Sequence, residues 1–135
     1  MFDFTHNSEL HNLIASVYER GAIVASVGHG YCGILNVRLS DGSYLVNGKI
    51  LTGPSWREEK LALVSQKVPY NAEELAKERG ADYIRWKRPY RSSAAATNGL
   101  VTGHNNSSSG NLVASSVCEE LARLDSLKAK GSEPL

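Results

Sequence analysis

The sequence is short of cysteine and carries almost no net charge. Its two cysteines, Cys32 and Cys118, stand far apart with no C-x-x-C motif, so free thiols in a reducing compartment are predicted. The 15 basic residues are balanced by 14 acidic ones, which gives no reason to expect a nucleic acid or an anionic membrane as partner. The one basic cluster, "RWKRPYR" at residues 85–91, is interpreted as a solvated strand end.

Long apolar runs are also absent. None approaches the ~20 residues that span a bilayer, and residues 1–10 lack the basic and apolar regions of a signal peptide. The 135 residues are 41% hydrophobic and 21% charged, which is typical of one soluble globular domain. We therefore expect a cytoplasmic protein, with the nucleus as a further location.

Hydrophobic periodicity predicts alternating helices and strands, and hence a layered α/β fold. Helices are expected over residues 7–21, 33–37, 55–66 and 71–80. The apolar face of the first consists of Leu10, Leu13, Ile14, Val17 and Tyr18. A last helix presents Leu112, Val113, Val117, Leu121 and Leu124 on one face. Strands are expected over residues 22–27, 81–87 and 92–103, with two short strands within 39–53. The dipeptide Asn98-Gly99 predicts a hairpin turn. Residues 104–111 are predicted as a loop and 129–135 as a frayed tail.

The stretch "AIVASVGHGYCG", residues 22–33, joins an apolar strand to a glycine-rich turn. Its G-x-G-x-x-G spacing fits a dinucleotide-binding loop, but that reading needs an acidic residue at the end of the next strand. The next strand candidate ends in Thr52 and Gly53 instead, so the hypothesis of a dinucleotide-binding loop is rejected and no cofactor is expected. The alternatives are a plain tight turn and a nucleophile elbow, whose tip would be Gly28.

The downstream motifs favour the elbow. "GAIVASVGHGYCGILNVRLSDGSYLVNGKILTG", followed by "ERGADY" and "LVTGHNNSSS", resembles the ThiJ/PfpI superfamily, on its heat-shock chaperone and glutathione-independent glyoxalase branch (glyoxalase III, D-lactate dehydratase). The resemblance covers residues 1–122 and implies a flavodoxin-like sheet with helices on both faces. "MFDF" matches a motif midway through the family domain, so we expect a fold that is incomplete at the N-terminal side. The implied division is a partial ThiJ/PfpI-like domain over 1–125 and a flexible tail over 126–135.

The resemblance also implies the site residues. The family's nucleophilic cysteine position is occupied by Gly28, the adjacent histidine is His29, and the acid that orients it is Glu59, with Glu58 as the neighbouring candidate. From the residues alone, the favoured interpretation of His29 is a hydrogen-bonded turn residue, and Glu59 is equally compatible with an ordinary carboxylate in the first turn of a helix. Cys32 is one helical turn past Gly28, where a thiol points away from an elbow pocket, so we expect apolar packing rather than catalysis there.

The chain departs from the family motifs at two further positions. Tyr31 stands where the family has a proline after the elbow, and Asn106 stands where it has the proline of its closing N-P-x-S motif. His6, His11 and His104 lack the spacing of metal ligands, so no metal is expected.

The family activity is conversion of methylglyoxal to D-lactate through a cysteine thiolate. With Gly28 at the nucleophile position, the resemblance implies little or no such activity here. One alternative is a non-catalytic chaperone (holdase) or protein-binding module acting on client proteins, and another is a non-functional fragment. The superfamily commonly forms homodimers, so a homodimer is expected as well.

Overall fold

The computed structural model describes residues 1–104 and 107–131, and its architecture is α/β, as the sequence predicts. Asn106 lies outside the described residues. Helices and strands follow one another in this order: α1 (Ser8–Glu19), β1 (Val24–Val27), a 3-10 helix (Gly28–Gly33), β2 (Ile50–Leu51), α2 (Trp56–Leu61), α3 (Ala72–Glu78), β3 (Asp82–Tyr83), β4 (Ala94–Thr97), β5 (Leu100–Gly103) and α4 (Ser107–Gly131). No helix in this part of the chain has the length and apolarity needed to cross a membrane.

The main sheet has the order β1-β5-β4. β1 runs parallel to β5, with Val24 opposite Leu100 and Val27 opposite Gly103, and β4 runs antiparallel to β5. A second parallel pair, β2 and β3, is tied to β5 because the backbone N–H of Thr52 donates to Thr102 Oγ1 at 2.9 Å. The carboxyl ends of β1 and β5 therefore lie side by side, which brings together the residues that follow each strand.

The predicted hairpin is confirmed between β4 and β5. Asn98 and Gly99 have φ values of +45° and +79°, the pair of left-handed residues that a type I′ turn requires. Helix α1 also begins where the sequence predicts, because the Asn7 side chain accepts a hydrogen bond from Leu10 N at 2.9 Å. Leu13, predicted on the apolar face of this helix, is instead 61% exposed.

Tyr31 is almost completely buried within the hydrophobic core. Its ring lies 5.9 Å from that of Tyr83, and its hydroxyl donates to Pro54 O at 3.3 Å. The ring also packs against Gly53, where a Cβ would come within 2.7 Å of it. A glycine at position 53 thus accommodates the tyrosine, which holds the 3-10 helix against the loop that leads into α2.

Several of the predicted elements differ in the structure. The helix expected over 55–66 ends at Leu61, and of the two short strands expected within 39–53 only Ile50–Leu51 forms. The helix expected over 33–37 is wrong, since the helical turns come earlier, as the 3-10 helix Gly28–Gly33, directly after β1. The strand expected over 81–87 is only Asp82–Tyr83, so the basic residues 85–91 lie beyond it. Helix α4 begins at Ser107, inside the predicted loop, and continues to Gly131 through part of the predicted tail.

The face that α4 turns to the sheet agrees only in part with the predicted one, because Val113 is buried and Val117 and Leu124 are half-buried. Helix α4 packs on β1, β4 and β5, and it buries Ser109, Val113 and Glu120. Leu112 and Leu121 are exposed. Glu120 reaches the hairpin and accepts a hydrogen bond from Gly99 N. A polar contact therefore helps to hold α4 against the sheet, and the spacing of apolar residues in the sequence does not predict it.

Candidate functional site: an elbow beside two histidine–glutamate pairs

Strand β1 ends at a sharp turn centred on Gly28. Val27 is extended, with φ −127° and ψ 141°, and Gly28 then adopts φ +59°, from which the chain enters the 3-10 helix. A residue with a side chain pays about 1–2 kcal/mol to occupy this left-handed region, whereas glycine does so freely. A strand that turns into a helical segment through a residue of positive φ has the geometry of a nucleophile elbow.

His29 follows the tip of the turn and pairs with Glu59. Its Nε2 lies 2.6 Å from Glu59 Oε1, and the histidine side chain is 39% exposed while that of the glutamate is 8% exposed. An ionised carboxylate can only accept hydrogen bonds, so His29 donates from Nε2. When the imidazole ring of His29 is neutral, its one N–H is therefore at Nε2. The structure therefore brings together His29 and Glu59, two of the residues that the sequence singles out.

Glu59 is positioned by the first turn of α2. Ser55 caps this helix, since its side chain accepts from Glu58 N while the Glu58 carboxylate accepts from Ser55 N at 2.8 Å. This reciprocal capping box fixes the start of the helix. Adjacent residues on the turn point to different partners, so that Glu59 reaches the elbow and Glu58 does not.

Glu58 pairs instead with His104, the residue that follows β5. His104 Nε2 lies 2.8 Å from Glu58 Oε2, and both side chains are buried. The same carboxylate also accepts from Ser55 Oγ at 2.8 Å and from Tyr90 N. Burial raises the pKa of Glu58, but the hydrogen bonds from Tyr90 N, His104 and Ser55 outweigh it and hold that pKa below its ordinary value.

The two pairs border one cavity of about 80 Å³. Its lining consists of His29, Pro54, Glu58, Glu59, Ala62, Val64, Tyr90 and His104. Sequence reasoning placed His104 in a loop near the sheet end but gave it no role. The signal that points to it is topological, because His104 directly follows β5, and the parallel neighbour β1 ends at Val27, one residue before Gly28.

Cys32 lies in the 3-10 helix and is completely buried. Burial raises the pKa of its thiol, and a buried thiol of raised pKa is a poor nucleophile. Cys118 is exposed on α4. Over residues 1–104 and 107–131, histidine, cysteine, aspartate and glutamate side chains form no group of three that could hold a metal ion.

The stability of this region is expected to fall in acid. Like Glu58, Glu73 is buried, which raises its pKa, but hydrogen bonds from Lys77 and Trp56 N bring that pKa below the ordinary value. Carboxylates whose folded pKa is lowered stabilise the fold above their unfolded pKa, which is near 4.5, and this contribution is lost as the pH falls through the folded pKa. Denaturant unfolding at pH 7, 4.5 and 3 should give a free energy of unfolding that falls most between pH 4.5 and pH 3. A free energy that rises in acid would contradict these assignments.

No protein-family model matches the chain. "Probable glutathione-independent glyoxalase hsp3103" of Schizosaccharomyces pombe is 34% identical over 112 residues, which are 78% of this chain and 43% of that protein. "Glutathione-independent glyoxalase HSP31" of Saccharomyces cerevisiae is 28% identical over 112 residues, covering 78% and 46%. The crystal structure of glyoxalase III from Candida albicans has a TM-score of 0.76 at 24% identity, over 87% of this chain and 51% of that one, which shows a shared fold. The chain spans about half the length of the relatives that it matches.

Proposed function

Because the chain belongs to the ThiJ/PfpI superfamily, on its glutathione-independent glyoxalase branch, we propose that its elbow pocket binds small 2-oxoaldehydes such as methylglyoxal but converts them to D-lactate with little or no activity. One observation carries this proposal: the elbow places His29 against Glu59 at 2.6 Å, while its tip is Gly28. The proposed acid–base pair, His29 and Glu59, is present, whereas the residue at the nucleophile position has no side chain.

The proposed loss lies in the covalent step. In the branch reaction a thiolate adds to the aldehyde carbon, the hemithioacetal isomerises to a thioester as a proton moves from one carbon to the next, and water releases D-lactate and the thiol. A histidine held by a carboxylate can move that proton, which is the role we propose for His29 and Glu59. Glycine supplies no atom for the addition, and removal of a nucleophile costs several orders of magnitude in rate.

The purified chain therefore should bind methylglyoxal without turning it over. Amide resonances around His29 should shift in an NMR titration, and D-lactate should form no faster than with a His29→Ala variant. D-lactate formation that needs His29 would overturn the proposed loss of activity. In that case a Cys32→Ala variant would separate a thiol-dependent route from a non-covalent one.

A second candidate function is supported by the free edge of β1. Within the part of the chain that the structure describes, this strand pairs only with β5, and Val27 at its end is 42% exposed. An unpaired strand edge binds extended segments by strand addition. A holdase acting in this way should suppress aggregation of a client protein equally well after His29→Ala and Cys32→Ala. Loss of suppression in either variant would favour chemistry over strand addition.

A further inference from the structure

We propose that the surface formed by α2, α3 and the segment that follows β3 binds single-stranded nucleic acid. Two cavities, of about 480 and 650 Å³, adjoin on this surface because Arg85 lines both. Four basic residues line the first cavity and three more line the second: Arg57, Lys60, Lys77 and Arg85, then Lys87, Arg88 and Arg91. These seven residues, with Trp56 and Trp86, are called the basic face. The inference goes beyond the proposed function, because none of them lines the cavity between the two histidine–glutamate pairs.

The positive charge of the basic face is compensated only in part. Glu73 and Glu74 are the acidic residues that line its cavities. Lys77 Nζ lies 2.7 Å from Glu73 Oε1 and Arg85 Nη1 lies 4.0 Å from it, so one carboxylate serves two cations. The other five basic residues are exposed and form no ion pair with a carboxylate of residues 1–104 and 107–131. Clustered cations of this kind attract a polyanion, although the net charge of the chain is only +1.

The fold holds the basic segment 85–91 against α2. Arg57 Nη1 donates to Lys87 O at 3.4 Å, and Tyr90 N donates to the carboxylate of Glu58 in the same helix. The cations at 85–91 therefore stand on a backbone that is positioned before a ligand arrives. Positioning of this kind reduces the loss of conformational entropy when a ligand binds.

The two tryptophans favour a nucleic acid over an acidic polypeptide. Trp56 lines the first cavity and is half-buried, and Trp86 lines the second and is exposed. Lys60 Nζ lies 6.0 Å from the centre of the Trp56 ring, and Arg91 Cζ lies 5.3 Å from that of Trp86. Proteins that bind single strands combine cations, which contact phosphates, with aromatic rings, on which bases stack. Acidic side chains have no ring to stack, and the bases of a duplex are already stacked on one another.

Intrinsic fluorescence reports binding directly, because the two tryptophans of the chain both belong to the basic face. The probe is oligothymidylate of about 12 nucleotides, a length that one small domain can cover. Stacked bases should quench the fluorescence. With about five phosphates engaged, the affinity should fall about 100-fold between about 50 and 200 mM salt. No binding at the lower salt concentration, or an affinity that does not depend on salt, would overturn the proposal.

Three competitors separate the kinds of ligand. An abasic oligomer keeps the phosphates and lacks the bases, an oligoglutamate of the same charge keeps only the charge, and a duplex of the same length hides its bases. Each should displace oligothymidylate about tenfold less effectively than unlabelled oligothymidylate does, because none can stack on both rings. Equal competition by the abasic oligomer or by oligoglutamate would leave a site for any polyanion, and equal competition by the duplex would exclude a preference for single strands. Each of these results would overturn the proposal.

Two pairs of variants test the residues, with binding followed by the anisotropy of a fluorescein-labelled strand. Arg88→Glu reverses a charge of the basic face, and Lys67→Glu reverses an exposed charge outside it. Trp86→Ala removes a ring of the basic face, and Phe2→Ala removes an exposed ring elsewhere. Arg88→Glu and Trp86→Ala should each weaken binding about tenfold, and the two controls should bind as the unmodified chain does. Unchanged affinity in folded Arg88→Glu or Trp86→Ala would overturn the proposal. If a variant does not fold, the competitors on the unmodified chain decide the question.

Discussion

Gly28→Cys is expected to raise the rate of D-lactate formation from methylglyoxal by about 10³-fold or more over the unmodified chain. A thiol at this position would stand at the tip of the elbow, one residue before His29 and its partner Glu59. Loss of a nucleophile commonly costs 10³–10⁶ in rate, so its restoration should recover a large part of that factor. The left-handed backbone at position 28 should cost the variant about 1–2 kcal/mol of stability. The measurement is an enantiomer-specific D-lactate assay on both proteins.

Gly30→Cys is the matched control for this variant. It places a thiol two residues further along the same turn, where the added Cβ would lie 3.4 Å from that of Ser26 and the backbone is not left-handed. No gain is expected, because a reacting thiol must stand within hydrogen-bond reach of its base. A folded Gly28→Cys variant that stays silent would contradict the claim that the pocket lacks only a thiol. Equal gains in both variants would show that a thiol reacts anywhere along this turn and that position 28 has no specific role.

Glu58→Ala is expected to lower the free energy of unfolding by about 3–4 kcal/mol. The buried carboxylate accepts hydrogen bonds from Ser55 N, Ser55 Oγ, Tyr90 N and His104 Nε2, and its removal leaves these donors unsatisfied. The change also breaks the capping box of α2. Denaturant unfolding of the variant beside the unmodified chain gives the difference.

Glu9→Ala is the control, since Glu9 is also an acidic residue in the first turn of a helix but is exposed. Its loss should cost no more than about 0.5 kcal/mol. If Glu58→Ala costs as little as Glu9→Ala, Glu58 does not connect α2, the segment at Tyr90 and the end of β5 in the way that the hydrogen bonds indicate.

The parts of the fold that local chemistry controls could be predicted from the sequence. The turn at Asn98-Gly99 needs two left-handed residues, and Asn7 supplies the cap that begins α1. The sharp turn at Gly28 is likewise predicted by an apolar strand that leads directly into a glycine-rich segment. These features depend on a few neighbouring residues, so their sequence signals remain visible without knowledge of the tertiary structure.

The contacts made across the fold could not be predicted in the same way. Periodicity places Leu13 and Leu121 on apolar faces, yet both are exposed, because burial depends on which face of each helix meets the sheet. Nothing in the local sequence shows that Glu58 pairs with His104, 46 residues away. The choice between Glu58 and Glu59 as partner of His29 depends on the orientation of α2 against β1, which only the assembled fold determines.

The thiol reactivity of Gly28→Cys tests most directly whether residues 22–33 form an elbow that lacks only its nucleophile. The variant is made in a Cys118→Ser background, which removes the exposed thiol, and its alkylation by iodoacetamide at pH 6 is measured with and without His29→Ala. Buried Cys32 should contribute little. If the elbow couples its tip to the histidine, alkylation should be about tenfold or more faster with His29 present, because a neighbouring imidazolium stabilises the thiolate. Equal rates in the two proteins would show that the tip and His29 do not act together, and would contradict the elbow.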